Sequence, residues 1–317
     1  MKGVVYVKTV RVVIGCTNRK TRPALTDLEM HKYHNHPFKE KATLWNTRLA
    51  HSTTDTIPAA ELYKGEHWSV VKQMLNIKET NGINYEIWVA SAGYGLIRST
   101  HLVEPYAATF SPGSKDFVLP RKTTKAGYTT QDWWELLSCR SRPKKEPASL
   151  EELAAGNPND FLVVALSEAY ARATHDDLIK AAKASKNHLV FISAGSNLSS
   201  LTHVQSPSDA RLQSLLGGSR ISLNARIVLH LIQNSSKHEW SKKGIDNFLQ
   251  QALAKAPELV KYNRSRMTSE EVISFIKKHQ DTHPSHTALL RLLRDSGMAC
   301  EQTRFRDLYY SVHKGKQ

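Results

Sequence analysis

The sequence has few cysteines, no long apolar run and a shortage of acidic residues. Its three cysteines, Cys16, Cys139 and Cys300, are far apart and include no Cys-x-x-Cys pair. This spacing argues against a disulfide framework and a cysteine zinc site, and it is typical of proteins from a reducing cytoplasm. No stretch approaches the roughly 20 apolar residues that a membrane-spanning helix needs. The first 15 residues alternate like a strand, include Lys8 and Arg11 and lack a small-residue cleavage site, so we expect no signal peptide. The sequence predicts a cytoplasmic protein.

Several motifs of cofactor-dependent and hydrolytic enzymes are also missing. The sequence contains no Walker A run, no Gly-x-Ser-x-Gly elbow and no Gly-x-Gly-x-x-Gly after a strand. Because these motifs cradle phosphates or expose a nucleophilic serine, their absence argues against an ATPase, a serine hydrolase and a dinucleotide-dependent enzyme. We expect no cofactor. His31, His34 and His36 are close in sequence, but they lie in a predicted loop without a fixed fourth ligand, and we expect no bound metal.

Basic residues are in large excess over acidic ones. The chain has 44 Lys and Arg against 29 Asp and Glu, which gives a formal net charge of +15. Such an excess favours polyanionic partners, which are DNA, RNA or an anionic membrane surface. Because the sequence predicts no membrane-spanning helix, we expect the partner to be a nucleic acid, and we favour DNA over RNA. A basic protein without such a partner is the alternative.

Strands and helices alternate over the first two thirds of the chain. The predicted strands are residues 4–15, 85–90, 161–166 and 188–193, and the predicted helices between them are residues 57–74, 130–139 and 175–186. This alternation predicts an α/β domain over residues 1–220, with a largely parallel or mixed central sheet flanked by helices. Open sheets of this kind bind ligands outside the carboxyl ends of their strands, so the loops at those ends are the candidate sites.

The strand pattern stops after about residue 220. Helices are predicted over residues 223–233, 243–254, 285–295 and 300–312, with a capping box at residues 268–271. We therefore predict a basic all-helical domain over residues 221–317. Its last two helices, joined by a turn at Gly297, form a helix-turn-helix candidate, with a solvated helical hairpin as the alternative. The residues expected to contact DNA there are Arg291, Arg294, Gln302, Arg304 and Arg306.

Polar loops follow three of the predicted strands. The first is basic and runs from Cys16 to Pro23, the second is Ser91-Ala92-Gly93-Tyr94-Gly95, and the third begins Ser167-Glu168. Two glycines after a strand allow a close approach of the backbone to a ligand. The nearby run Glu104-Pro105-Tyr106 adds a carboxylate and a second tyrosine. The tyrosines could stack on a base, and core packing is their alternative role.

The run SAGYGLI…EPY, which begins at Ser91, resembles the GxYGL…PY signature of the peroxide-stress YaaA family. Three further segments agree with that family in order. Residues 16–20 take the place of its Ser/Lys loop, residues 58–68 resemble its helix with a Gly-acid-aromatic end, and residues 166–170 resemble its Leu-Ala-Ser-x-Glu-Tyr segment. The resemblance covers roughly residues 10–200 and implies DNA binding and a fold similar to that of uracil-DNA glycosylases. The helical tail departs from it, and the two-part layout is similar to phage-defence DNA glycosylases that remove glucosylated hydroxymethylcytosine.

Base excision accounts for the basic charge and the strand-end loops together. A glycosylase flips a base into a pocket and breaks the glycosidic bond through an oxocarbenium-like state, which a carboxylate or amide can assist. The expected catalytic residues are Asn18, Glu104 and Glu168. The expected substrate-binding residues are Cys16, Lys20, Ser91, Gly93, Tyr94, Gly95, Tyr106 and Ser167, with Arg19 and Arg22 on phosphates. A non-catalytic DNA-binding stress or regulatory protein and a tRNA base-processing enzyme are the competing hypotheses.

Overall fold

The computed structural model describes residues 7–51, 55–119, 127–139, 146–156, 160–194, 198–259, 263–281 and 285–314. The chain forms two compact units, Met1–Pro257 and Glu258–Gln317, called the first and second unit below. The strands are β1 (Thr9–Gly15), β2 (Ile57–Pro58), β3 (Glu79–Thr80), β4 (Ile83–Ser91), β5 (Gly95–Arg98), β6 (Leu102–Val103), β7 (Phe161–Ala165), β8 (Leu189–Ser193), β9 (Gln205–Pro207), β10 (Ser265–Arg266) and β11 (Met298–Ala299).

The α-helices are α1 (Phe38–Ala50), α2 (Ala59–Leu62), α3 (Glu66–Leu75), α4 (Thr130–Ser138), α5 (Leu150–Ala155), α6 (Glu168–Ala173), α7 (His175–Ala184), α8 (Leu212–Leu216), α9 (Leu223–Gln233), α10 (Lys242–Leu253), α11 (Ser269–His279), α12 (His286–Asp295) and α13 (Gln302–Lys314). Short 3-10 helices span Thr26–Leu28, Met30–Tyr33, Ser199–Leu201 and Arg220–Ser222. None of the helices in the described ranges combines the length and the apolar character that crossing a membrane requires.

A seven-stranded sheet forms the centre of the first unit. Five parallel strands lie in the order β4-β1-β7-β8-β9, and the short β3 and β5 pair antiparallel with β4. Numbered along the chain, the parallel strands take the order 2-1-3-4-5, which is common in doubly wound α/β sheets. The prediction of an α/β fold with a mostly parallel central sheet flanked by helices is confirmed.

The central position of β1 follows from its composition. Its sequence TVRVVIG is dominated by β-branched residues, and it pairs with β4 on one side and β7 on the other. Strands covered on both faces carry such continuous apolar runs. Arg11 is the exception, and its guanidinium is buried against the carboxylates of Asp160 at 2.9 Å and Glu86 at 3.4 Å. The predicted strand began at residue 4, but residues 4–6 lie outside the described part of the chain.

The single helix predicted over residues 57–74 is wrong. The chain forms β2 and α2, breaks at Tyr63–Gly65 and resumes as α3. Gly65 has a φ of 100°, a left-handed conformation that an α-helix cannot contain and that glycine adopts without a steric penalty. The break turns the residues around it toward the end of β1, which matters for the site below.

The two compact units divide at residue 257 rather than at residue 220. Helix α9 packs on α3 and β7, and α10 packs on β9, so both belong to the first unit. Their apolar faces require this, because Ile227, Val228, Leu231 and Leu249 are buried there in the main core. The sequence boundary was placed where strands end, but a helix joins whichever core its apolar face covers.

The second unit is a small three-helix body with its own core. Helix α11 begins with the predicted capping box of Thr268 and Glu271, and Ser285 caps α12. The buried side chains of this core are Val272, Ile276, Leu289, Leu290, Leu293, Cys300, Phe305 and Tyr309. The two-residue strands β10 and β11 pair in parallel. The helices agree with the sequence prediction, and their use as a DNA-binding helix-turn-helix stays a prediction.

Candidate active site

A cavity of about 560 Å³ lies at the carboxyl ends of β1 and β7. The last residues of the two strands, Gly15 and Ala165, form part of its wall. The chain leaves β1 for β4 on one side and leaves β7 for β8 on the other, so the loops that follow diverge and leave a crevice. The volume is within the range of small-molecule pockets. The sheet order thus places the cavity where doubly wound sheets bind ligands.

Loops from distant parts of the first unit complete the wall. Residues 16–19 follow β1, residues 64–67 run from the break at Gly65 into the first turn of α3, and Ser219, Ile221 and Asn224 lie around the start of α9. Asn224 donates its amide to the carbonyl of Leu166 at 2.8 Å, which fixes α9 to the end of β7. Thr109, Ser111, Ser167 and Tyr170 complete the wall, so it combines the edge of the sheet with several segments that are distant in sequence.

Four residues predicted for the site line this cavity: Cys16, Asn18, Arg19 and Ser167. The loop after β1 is held in place by the break before α3, because the amide of Lys64 donates to the carbonyl of Arg19 at 3.0 Å. The hydroxyl of Thr17 donates to the carbonyls of Arg19 and Lys64 as well. Asn18 is exposed between these anchors and lines the cavity.

Cys16 rests on a layer of buried tyrosines. Its Sγ lies 3.0 Å from the hydroxyl of Tyr170 and accepts a hydrogen bond from Tyr106 at 3.5 Å. The Tyr106 hydroxyl also bonds with Ser91 at 2.7 Å and with Tyr63 at 2.8 Å. Burial raises the pKa of Tyr63, Tyr106 and Tyr170 well above the ordinary value, so all three stay protonated.

This tyrosine layer contains three of the residues predicted to bind the substrate. Ser91 and Tyr106 are fully buried and lie beneath the cavity, where they support Cys16 instead of facing a ligand. Lys20 also lies in this layer, with its ammonium 4.4 Å from the centre of the Tyr106 ring. Burial lowers the pKa of Lys20. These side chains shape the floor of the site through Cys16.

The glycine run after β4 serves packing and chain reversal. The carbonyl of Gly93 accepts from the Trp45 indole at 2.8 Å, and Gly95 has a φ of 73° at the turn into β5. The Tyr94 hydroxyl accepts from the backbone amide of Glu104 at 2.9 Å and is buried. None of these residues borders the cavity, so their binding of a substrate stays a prediction that this cavity does not support.

The two carboxylates predicted as catalytic lie outside the cavity wall. Glu104 is 1% exposed, and its carboxylate accepts two hydrogen bonds from Arg48, at 2.8 and 3.2 Å. Glu168 is exposed on α6 and pairs with Arg172 one turn later. Glu104 is therefore a buried, paired carboxylate and Glu168 an exposed, paired one, and their catalytic role stays a prediction. Of the three catalytic candidates, the structure brings only Asn18 to the cavity.

Sequence reasoning missed two titratable residues in the wall, Glu66 and His67. The Glu66 carboxylate accepts from the amide of Ser219 at 2.6 Å, the hydroxyl of Ser222 at 2.9 Å and the guanidinium of Arg226 at 3.1 Å. These bonds, the Ser219 amide first, lower the pKa of Glu66 to about 2. His67 lies beside the end of β1, with Nε2 at 3.2 Å from the carbonyl oxygen of Gly15. The Gly-acid-aromatic run at the end of residues 58–68 is a sequence signal for this segment, and the structure places both residues in the wall directly after the break at Gly65.

The chain matches no family model, and neither a curated protein nor a solved structure matches it. The resemblance to the YaaA family therefore stays a prediction, and the function has to be argued from the cavity and the charge.

The three clustered histidines are bound to separate partners. His31 Nδ1 lies 2.8 Å from Asp116, His34 Nε2 lies 2.9 Å from the carbonyl of Phe117, and His36 Nδ1 lies 3.0 Å from Glu40. Within the described ranges, no three histidine, cysteine or acidic side chains converge as a metal site would require.

The basic residues predicted to contact DNA divide into exposed and engaged groups. Arg291, Gln302 and Arg306 are exposed on the second unit, where Arg291 lies 3.9 Å from Asp295 and Arg306 pairs with Asp307 at 3.0 Å. Arg304 is half-buried and donates to the carbonyl of Met267 and the hydroxyl of Ser269, which ties α13 to the start of α11. Arg294 is also half-buried, and its guanidinium donates to the carbonyl of Cys300 at 3.4 Å. In the first unit, Arg22 is exposed and paired with Asp55.

Proposed function

We propose that this protein is a cytoplasmic DNA glycosylase that flips a modified cytosine into the cavity and releases it, leaving an abasic site. The observation that carries the proposal is the exposed amide of Asn18 in a cavity at the carboxyl ends of β1 and β7. An amide offers both a donor and an acceptor, which is what the edge of a base requires. The chain's net charge of +15 supplies the attraction to DNA.

The size and lining of the cavity favour a base with a polar substituent. A volume of about 560 Å³ exceeds what a single pyrimidine ring fills. Hydroxyls from Thr17, Ser111 and Ser167 lie in the wall together with Asn18. Hydroxyl and amide groups are suitable partners for a sugar, so glucosylated hydroxymethylcytosine of phage DNA is the substrate we favour, and antiviral defence is the role that this substrate implies.

Asn18 would assist the bond cleavage by position. Glycosidic bonds break through an oxocarbenium-like state in which water approaches the anomeric carbon from the face opposite the leaving base. The amide oxygen of Asn18 can accept a hydrogen bond from that water and offset the developing positive charge. The basic side chains of Arg19 and Lys64, also in the wall, would contact the phosphates beside the flipped nucleotide.

Alkali treatment of reacted DNA tests the activity, because abasic sites break under alkali. Duplexes with cytosine, hydroxymethylcytosine or glucosylated hydroxymethylcytosine are incubated with the full chain, and we expect cleavage at the glucosylated base. Asn18→Ala should lower the excision rate by about 10²- to 10³-fold with DNA affinity retained. Asn76→Ala, at an exposed asparagine outside the cavity, is the matched control. Cleavage of no duplex would favour the non-catalytic DNA-binding protein, and base release from tRNA alone would favour the tRNA enzyme.

The second unit would bind DNA through contacts between its exposed basic residues and the phosphates. Each phosphate contact contributes about 0.9 to the slope of log affinity against log salt. We expect the double variant Arg291→Ala/Arg306→Ala to lower the magnitude of this slope by about two and to weaken binding to all sequences alike. The control, Lys180→Ala/Lys183→Ala, removes two exposed charges from α7 in the first unit. Equal slopes for the wild type and the Arg291/Arg306 variant would contradict the DNA-binding role of the second unit.

A further inference from the structure

A hydrogen bond in the cavity wall defines the tautomer of His67. It lies in the first turn of α3, directly after the break at Gly65, and its Nε2 is 3.2 Å from the carbonyl oxygen of Gly15. A carbonyl oxygen only accepts hydrogen bonds, so Nε2 carries the hydrogen. In the neutral ring the other nitrogen, Nδ1, then holds a lone pair and accepts. The end of β1 thus fixes the tautomer of a cavity histidine.

The surroundings keep this ring neutral. Burial lowers the pKa of His67, and the hydrogen bond to Gly15 opposes that effect only in part. The titratable and charged groups that share the cavity wall are Cys16, Arg19, Lys64, Glu66 and Tyr170. Helix α9, which packs on α3, adds Arg226 and His230. The carboxylate of Glu66 accepts from Ser219, Ser222 and Arg226, so its charge is already balanced by groups other than His67.

Glu66 and Cys16, the two other candidates for a base in the wall, are already engaged by hydrogen bonds. Glu66 has a pKa of about 2 and remains ionised without taking up a proton. Cys16 is covered by the hydroxyls of Tyr106 and Tyr170. A general base is most effective when its pKa lies near the working pH, and among these groups a histidine meets that condition best.

We propose that His67 is the general base of the cavity and activates the attacking water; this inference rests on the proposed glycosylase function. Nδ1 takes a proton from water as the water oxygen bonds to the anomeric carbon of the nucleotide. The bond from that carbon to the base breaks, and its electron pair leaves with the base. The departing base takes up a proton from solvent water and the protonated His67 returns its proton to solvent, so the products are an abasic deoxyribose and a neutral free base.

The pH dependence of excision separates this role from a structural one. Single-turnover excision of the glucosylated base is measured for the full chain between pH 5 and pH 8. The wild-type rate should fall as the pH drops through the pKa of His67, because the protonated ring cannot accept another proton. His67→Gln keeps a donor for the Gly15 carbonyl and should lose about 10²-fold or more in rate, together with that acid limb. DNA affinity should be unchanged, and His203→Gln, at an exposed histidine outside the cavity, should behave as the wild type.

Two outcomes overturn the inference in different ways. If His67→Gln retains the wild-type rate and acid limb, His67 is not the base although the chain is a glycosylase. If the wild type excises no base from any duplex, the glycosylase and the role of His67 fail together. A long-range ¹H–¹⁵N spectrum of the full chain adds a measurement that needs no turnover. It should show hydrogen on Nε2 of His67, and a hydrogen on Nδ1 would overturn the proton-acceptor assignment.

Discussion

Gly93→Ala is expected to destabilise the first unit by about 3 kcal/mol, at the upper end of the cost of overpacking a core. A Cβ at this position would lie 2.5 Å from two ring carbons of Tyr106 and 3.3 Å from a ring carbon of Trp45. Both rings are fully buried. Tyr106 cannot move aside cheaply, because its hydroxyl is bonded to Ser91, Tyr63 and Cys16.

Urea unfolding of the wild type and of Gly93→Ala measures this difference in the free energy of unfolding. A variant at a second glycine, Gly15, provides the control. A Cβ on Gly15 would meet only ordinary contacts, the nearest at 3.5 Å from the ring of Tyr170. Gly15→Ala should therefore cost less than about 1 kcal/mol. In a Tyr106→Leu background, where the ring is absent, the cost of Gly93→Ala should shrink. Equal losses for Gly93→Ala and Gly15→Ala would show that the Tyr106 ring yields without cost.

The close approach of Gly93 to Tyr106 also explains why sequence reasoning misplaced these residues. The SAGYG and EPY runs were correctly seen as neighbours of a strand end, but that strand is β4. In the order β4-β1-β7, β4 lies on the far side of β1 from the crevice. Strand order depends on long-range pairing, which one sequence does not reveal. The glycine therefore makes room for a tyrosine ring and not for a ligand.

The part of the site that was predictable belongs to the loops after β1 and β7. Cys16, Asn18, Arg19 and Ser167 follow apolar runs that could be recognised as strands, and both strands border the crevice. Glu66 and His67 were not predictable in the same way. The helical pattern of the sequence continues across Gly65. The positive φ of Gly65, 100°, interrupts the helix there, and Glu66 and His67 then lie in the cavity wall. The apolar runs in the sequence thus located the ends of β1 and β7. The break at Gly65, which the sequence pattern does not show, places Glu66 and His67 at the cavity.

The helices after residue 220 show that the domain boundary could not be read from the sequence either. The helices themselves were predictable from apolar periodicity and from caps such as Thr268 and Ser285. Periodicity does not say which core a helix covers. Because α9 packs on α3 and β7, the first unit extends to residue 257, and the basic second unit is smaller than the sequence suggested.

Glu104→Ala should cost about 3 to 5 kcal/mol of stability, because it removes one partner of a buried ion pair. The Arg48 side chain is 15% exposed and would keep only Asp27 as a carboxylate partner. Hydrogen bonds that Arg48 donates to Glu104 and then to Asp27 raise the pKa of Arg48, so its charge cannot be lost to relieve the burial. The matched control is Glu168→Ala, which breaks an exposed pair within α6 and should cost at most about 0.5 kcal/mol.

Combining urea unfolding with the excision assay decides between a structural and a catalytic Glu104. A catalytic carboxylate would lose turnover on substitution by Gln while the stability stayed close to that of the wild type. The buried ion pair predicts the reverse for Glu104→Gln: a clear loss of stability, since the charge facing Arg48 is gone, with excision retained at temperatures where the protein is folded. Glu104 lies outside the cavity wall, whereas Asn18 lies in it, so the two substitutions should have opposite effects on stability and turnover.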